Sequence, residues 1–462
     1  MQTKQLKEEC GIFGIYNKEN IPCIGNLVYY GLFALQHRGQ EAAGIAVNIN
    51  RDIYLKKNLG LVSEVFASDN LFLEQTGNIS VGHVRYSTCG GNILENAQPI
   101  SVRYAKGNLT ICHNGNIYNA HELRQNLENE GAIFHTTSDS EVICYLIARE
   151  RLHCSTVEEA VKNILPKLKG SFSLLVMSPE KLIALRDPYG FRPLCMGELD
   201  NSIVFSSESC ALETIGATYK RDVKPGEIIV VSKNGISYDT SLACNQTGLC
   251  IFEHIYFARP DSIIDGQSVQ EARTNAGKLL ARQYPIDADI VIGVPDSGLA
   301  AAQGYAEESG IKYGVGLIKN RYIGRTFIQP TQALREKSVA LKLNTLSMNI
   351  KDKKVVMIDD SIVRGTTLAN IIKLLKKSGA KEVHVRVASP KFMYPCYFGT
   401  DIPSRDQLAC NKWSEEELRK KIGADSLGFL RLETVKQIAP NSKVDFCTGC
   451  FSGIYPGKIY SE

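Results

Sequence analysis

The segment Val355-Val-Met-Ile-Asp-Asp-Ser-Ile-Val-Arg-Gly-Thr-Thr367 constrains the fold more than any other stretch of the chain. Val355 to Ile358 form a continuous apolar run, the pattern of a parallel strand buried on both faces. Two carboxylates, Asp359 and Asp360, stand where that strand ends. A short loop with Ser361, Val363, Arg364 and Gly365 then leads through Thr366 and Thr367 into a helix. Its apolar positions Leu368, Ile371, Ile372 and Leu375 fall at helical spacing, and Gly379 closes it. A strand–loop–helix unit of this kind presents N–H groups and hydroxyls where a phosphate rests against a helix N-terminus. Acids at the carboxyl end of the strand lie where open α/β sheets bind ligands, and there they can hold ribose hydroxyls or magnesium. An ordinary βα turn can also begin with aspartates, but it has no need of acids, hydroxyls and small residues together. No Gly-Lys-Ser/Thr ends the loop, which excludes a Walker-type site.

The chain has 462 residues, so length alone suggests roughly two to four domains. Hydrophobic residues make up 44% and charged residues 22%, ordinary values for a globular protein. A net charge of +4 over this length gives no case for a nucleic-acid or membrane surface. Residues 1–9 lack the apolar core of a secretory signal, and no apolar run nears the roughly 18 residues that span a bilayer. A cytoplasmic location is expected, with the 14 cysteines serving as thiols, ligands or nucleophiles rather than disulfides.

The first half reads as short strands at Gly11–Tyr16, Gly44–Val47, Val81–Tyr86, Leu109–Cys112, Ser171–Met177, Leu182–Leu185, Ile203–Ser206 and Glu227–Val231. Helices are expected between them, including Asn26–Leu35, Ala120–Glu130, Ser140–Arg151 and Val157–Leu168. Many strands with little βαβ alternation predict layered, mostly antiparallel sheets with helices outside. From about Ala288 the pattern becomes β-α alternation: strands at Asp289–Val294, Val315–Ile318, Val355–Ile358 and Val383–Val387, helices at Gly298–Glu308 and Leu368–Lys377. That predicts a doubly wound parallel sheet. The polar stretch Ser232–Gly248 is the linker candidate.

Cys10 begins the first strand, and the residues before it are charged and without evident structural use. Their removal would leave Cys10 with a free α-amine of reference pKa about 7.7–8.0, a base near neutrality. One residue would then be both nucleophile and base. Gln36-His-Arg-Gly-Gln40, Gly82-His-Val-Arg-Tyr-Ser-Thr88, His113-Asn-Gly-Asn116 and Thr137-Ser-Asp-Ser-Glu141 complete a pattern that resembles class II, N-terminal-nucleophile glutamine amidotransferases. The resemblance implies an αββα sandwich over 10–235 and a propeptide at 1–9. It assigns Arg85 to the glutamine α-carboxylate, Asp139 to the α-ammonium group, and Asn114 with Gly115 to the oxyanion hole.

The 355–367 segment resembles the phosphoribosyl-diphosphate (PRPP) signature of type I phosphoribosyltransferases, which implies a parallel-sheet α/β domain over 250–462. On that resemblance Asp359, Asp360, Ser361, Val363, Arg364, Gly365, Thr366 and Thr367 bind PRPP. Ser297, in Pro295-Asp-Ser-Gly298, joins Asp359 and Asp360 around magnesium. Arg321 and Arg325, in the basic run Lys319–Thr326, are candidates for a flap over the diphosphate. Both halves together resemble enzymes that pass ammonia from glutamine to PRPP and so make 5-phosphoribosylamine, the opening step of purine synthesis. Purine nucleotide effectors and a homotetramer are implied as well. Phe446-Cys-Thr-Gly-Cys-Phe451 has C-x-x-C spacing, which by itself suits zinc, an iron–sulfur cluster, a redox pair or nothing. One branch of these enzymes carries a propeptide and a [4Fe–4S] cluster, and Cys250, Cys396, Cys447 and Cys450 match its four ligands.

Overall fold

Along the first strand, Gly11–Ile21, side chains alternate between two cores, which sets the architecture of the first half. Ile12 and Tyr16 enter one apolar cluster, while Phe13 and Ile15 enter another. The computed structural model describes residues 9–67, 70–86, 91–320, 343–400, 402 and 404–457.

Seven antiparallel strands form the first sheet, in the order Thr218–Asp222, Cys195–Leu199, Ser202–Ser206, Gly11–Ile21, Gly77–Arg85, Ala42–Ile49, Asp52–Leu59. Six more form the second, in the order Gly235–Asp239, Ile228–Ser232, Lys181–Arg186, Gly170–Met177, Gly107–Ile117, Ile100–Tyr104. Between the sheets lie Ile12, Val81, Leu175, Ala184 and Ile229. A methyl on Gly14 would come within 2.9 Å of Leu175 in the facing sheet, so glycine there lets the layers meet. Outside the first sheet pack helices Ile24–Ala34 and Ser209–Thr214, and outside the second Asp139–Glu150 and Val157–Ile164. This is the αββα sandwich that the motifs imply.

The edges depart from the sequence reading. Asp52–Leu59, Ile100–Tyr104, Cys195–Leu199 and Thr218–Asp222 are strands that the apolar pattern does not announce; Asp52–Leu59, an edge strand, buries no residue fully. The polar stretch 232–248 is not all linker, because Gly235–Asp239 folds back on Ile228–Ser232 as an edge strand. Its polarity reflects an exposed edge rather than a lack of structure.

In the second half, Ile290–Gly293, Lys354–Asp359, Glu382–Val387 and Ser426–Phe429 form a parallel sheet in that order. Val291, Val356 and Ile358 face helices Val269–Gln283 and Leu299–Ser309, whereas Ile292, Val355 and Met357 face Thr366–Lys377 and Glu415–Ile422. Both faces are covered, as a continuous apolar strand requires. The expected strand at Val315–Ile318 is Leu317–Lys319 instead, and it pairs antiparallel with Leu343–Thr345 outside this sheet.

Buried ion pairs join the halves. Arg186 places all five donors: two on Asp265 at 2.9 and 2.7 Å, and the rest on the carbonyls of Arg192, Val223 and Gly190. Removing one member strands the other charge away from water. Arg186→Ala is therefore expected to cost about 3–5 kcal/mol, read as a lower urea midpoint, while Arg282→Ala at the exposed Arg282–Glu308 pair leaves the midpoint almost unmoved.

Candidate active sites

Cys10 lies at the entry to the first strand, 8% exposed, with its Sγ donating to the Tyr86 carbonyl at 3.4 Å. Its own carbonyl accepts from Arg38 Nε at 2.9 Å. Burial pushes the thiol up to about 12; Arg85 pulls it down, and Glu9 and Asp139 push it further up. Arg85 ends the strand Gly77–Arg85 and is buried. Asp139 is the first residue of its helix, after the N-cap Ser138, whose side chain accepts from Ser140 N at 3.2 Å. Asp139 accepts from the Ile117 N–H at 3.0 Å and lies 3.7 Å from His113 Nδ1. Burial alone would raise its carboxyl, but His113 and these hydrogen bonds hold it below the usual range.

Asn114 and Gly115 sit on Gly107–Ile117, in the facing sheet. The Asn114 side chain is fully buried, and neither of its polar atoms has a partner among the described residues. Gly115 adopts a φ of 148°, and a methyl there would lie 2.0 Å from the Ser171 carbonyl, so no other residue fits. Neighbours on both sides are pinned: the His113 N–H donates to Gln98 Oε1 at 2.7 Å, and Asn116 Nδ2 donates to the Tyr397 carbonyl of the second half at 3.0 Å. Burial lowers His83, whose Nε2 lies 3.0 Å from the His113 carbonyl, to about 3.

At the second site, Asp359 closes its strand and Asp360 follows. Ser297 Oγ and Ser361 Oγ donate to the two Asp360 oxygens, each at 2.6 Å, and the Asp360 N–H donates to Asp359 Oδ1 at 3.0 Å. Burial and the adjacent charge drive the Asp359 carboxyl well above its ordinary range, and burial raises Asp360 too. Such a pair favours a cation. Gly365, at φ 79°, turns the chain into the helix that starts at Thr366. Arg364 donates to Gln407 at 2.9 Å, and the Val363 carbonyl accepts from Ala409 N at 2.8 Å, which fixes the loop's outer side. Thr367 lies in the first turn of the helix. Arg321 and Arg325 lie outside the described residues.

Cys250, Cys396, Cys447 and Cys450 line one cavity, together with Phe398 and Tyr455. Parallel pairing of Leu249–Cys250 with Phe446–Cys447 brings two of them together, although nearly 200 residues part them. Burial and mutual repulsion raise the thiols of Cys250, Cys447 and Cys450. Among the described residues no group of three or more His, Cys, Asp or Glu is placed to hold a single metal ion. Four soft thiol donors around a shared cavity have the donor chemistry that iron–sulfur groups and zinc both use.

Sequence motifs did not reveal what connects the sites. Arg38 is fully buried and donates to Glu208 Oε1 at 2.7 Å and to both oxygens of Glu253 at 2.9 and 2.8 Å. Glu253 opens a π-helical turn, Glu253–Phe257, on which Tyr256 senses the charges of Asp360 and Asp359, which with burial raise its phenol. Arg38 belongs to a quoted motif, yet its partners are remote in sequence and could not be read from it.

Residues 83–214 match the glutamine amidotransferase domain family, and residues 261–390 the phosphoribosyl transferase domain family. The chain is 48% identical to an amidophosphoribosyltransferase of Methanocaldococcus jannaschii, over 98% of each chain. Its structure is similar to one described as the allosteric regulatory enzyme of purine biosynthesis, with a TM-score of 0.91 and 45% identity over 98% of this chain and 97% of that one. The glutamine PRPP amidotransferase of Bacillus subtilis, solved with ADP and GMP, aligns with a TM-score of 0.90 and 45% identity over 98% of each chain. Two sites on two lobes, with relatives this similar along the whole length, show that the chain belongs to the amidophosphoribosyltransferase family.

Proposed function

We propose that the chain converts PRPP, glutamine and water to 5-phosphoribosylamine, diphosphate and glutamate, with ammonia passed from the first lobe to the second. One observation carries this reading: the buried Asn114 amide, without a partner among the described residues, beside a Gly115 backbone that tolerates no side chain. An unsatisfied buried amide costs about 1–3 kcal/mol, and an incoming oxyanion relieves it.

Removal of the residues before Cys10 supplies the α-amine. That amine takes the Sγ proton as sulfur attacks the glutamine γ-carbonyl, so the reluctance of the buried thiol to ionise does not block the reaction. Arg85 holds the substrate α-carboxylate and Asp139 its α-ammonium group, while Asn114 Nδ2 and the Gly115 N–H stabilise the oxyanion. Collapse expels ammonia with the proton returned, and water then hydrolyses the γ-glutamyl thioester. Free ammonia is mostly protonated in neutral water, which favours a sheltered passage to ribose C1.

In the second lobe Asp359 and Asp360 bind ribose hydroxyls, and the 361–367 loop with its helix N-terminus cradles phosphate. Oxygen donors Ser297, Asp359 and Asp360 fit magnesium, which would offset the charge that develops on the departing diphosphate. Arg321 and Arg325 are assigned to the cover over that diphosphate. Cys250, Cys396, Cys447 and Cys450 are assigned to a [4Fe–4S] cluster with a structural or oxygen-sensing role, since no step moves an electron. Feedback by purine nucleotides and assembly as a homotetramer belong to the same reading; the B. subtilis relative bound to ADP and GMP supports the feedback.

Cys10→Ala should abolish glutamine-dependent formation of 5-phosphoribosylamine and leave the ammonia-dependent rate intact; loss of both rates would defeat the division of labour. In chains that still carry residues 1–9, a thiol near 12 is almost wholly protonated at pH 7 to 9. Cys10 alkylation, followed by peptide mass mapping, should therefore rise about tenfold per pH unit across that window, and a plateau would contradict it. Protein purified without oxygen should contain iron and absorb broadly in the visible, and Cys447→Ser should lose both; a colourless, iron-free wild type removes the cluster.

A further inference from the structure

Glu9, the residue immediately before Cys10, is 1% exposed, and its side chain fills a slot built by both lobes. Arg192 of the first lobe reaches Oε1 at 2.8 Å, and Thr400 Oγ1 of the second donates to the same oxygen at 2.8 Å. The Arg192–Glu9 contact is an ion pair through Nη1; Arg192 has no exposed surface, and its Nη2 donates to the Phe398 carbonyl, in the segment that carries Thr400. Gly399, at φ 102°, lets that segment lie close: a methyl there would meet Arg192 at 3.0 Å and Asn116 Cβ at 3.4 Å. Burying a carboxylate is costly even when it is paired. A chain that discards its leader gains from this contact only before the cut.

We propose that the Arg192–Thr400 slot is the recognition site for leader removal: by gripping the Glu9 side chain it holds the Glu9–Cys10 peptide bond in register with the Cys10 thiol. This inference rests on the reading that residues before Cys10 are removed. The net step consumes one water, breaks the C–N bond between the two residues, and leaves a carboxylate on Glu9 and an α-amine on Cys10, with no change of oxidation state. Arg192 and Thr400 act as positioning residues. Because Thr400 belongs to the second lobe, the slot exists only when that lobe is folded against the first, so cleavage follows docking. An active nucleophile is then exposed only in a molecule that already has a place for the ammonia.

The test follows the full chain and the variants Glu9→Gln, Glu9→Ala and Thr400→Val by intact mass after synthesis, reading the fraction that begins at Cys10. Ammonia-dependent 5-phosphoribosylamine formation, which needs no α-amine, reports folding of the Glu9 variants. The wild type should begin at Cys10, with Glu9→Ala slowed roughly tenfold or more for the lost charged contact. Glu9→Gln, which keeps an acceptor for Thr400, and Thr400→Val should be intermediate. Equal removal in all three variants, or loss of removal only in step with lost ammonia-dependent turnover, would overturn the proposal. A wild type that keeps its leader would instead refute the leader reading itself, and this inference with it.

Discussion

One buried guanidinium ties the two lobes together chemically. Arg38 donates to the carbonyl of Cys10, to Glu208 and to both oxygens of Glu253, with no exposed surface on any of the three charged side chains. Desolvating three charges is expensive, and the arrangement survives because each charge is paired and each pair shares hydrogen bonds. Glu208 shows the balance: His37 and Arg38 outweigh burial and keep its carboxyl far below the ordinary range. The backbone of Cys10 and the π-helical turn whose Tyr256 feels the charges of Asp359 and Asp360 therefore share one anchor.

The same logic recurs along the interface. Arg186 spends its donors on Asp265 and three carbonyls, and Arg192 lies between Glu9 and the Phe398–Thr400 segment. Phe191 stacks on Phe398 with ring centroids 3.9 Å apart, adding an apolar contact between the charged ones. Asn116, one residue beyond the Asn114–Gly115 pair, donates to Tyr397, the neighbour of Cys396. The cavity of the four cysteines thus borders the segment that holds Asn116, next to Asn114 and Gly115.

Legibility in the sequence followed burial. Strands buried on both sides, such as Lys354–Asp359 and Gly170–Met177, announce themselves by apolar runs, whereas Asp52–Leu59 and Gly235–Asp239 pair at edges and keep polar faces. The Leu317–Lys319 strand was visible, but its partner was not, since pairing depends on what lies across space. The local conformation of compact motifs, Asn114–Gly115 on its strand and Asp359–Thr367 from strand to helix above all, could be read because it is set by neighbours a few residues away. Arg38 stood in a legible motif with an illegible role, as its partners Glu208 and Glu253 lie 170 and 215 residues away.

By itself, then, the sequence determined which family each half belongs to: a glutamine amidotransferase domain first, and a phosphoribosyl transferase domain after it. Spacing within a few residues sets backbone conformation and side-chain direction, so those parts are encoded where they are read. Tertiary structure alone decided that Cys250 meets Cys447, that Glu9 meets Thr400, and that Arg38 joins both lobes. These contacts come from burial of charged and apolar surface across the whole fold, and no local pattern contains them.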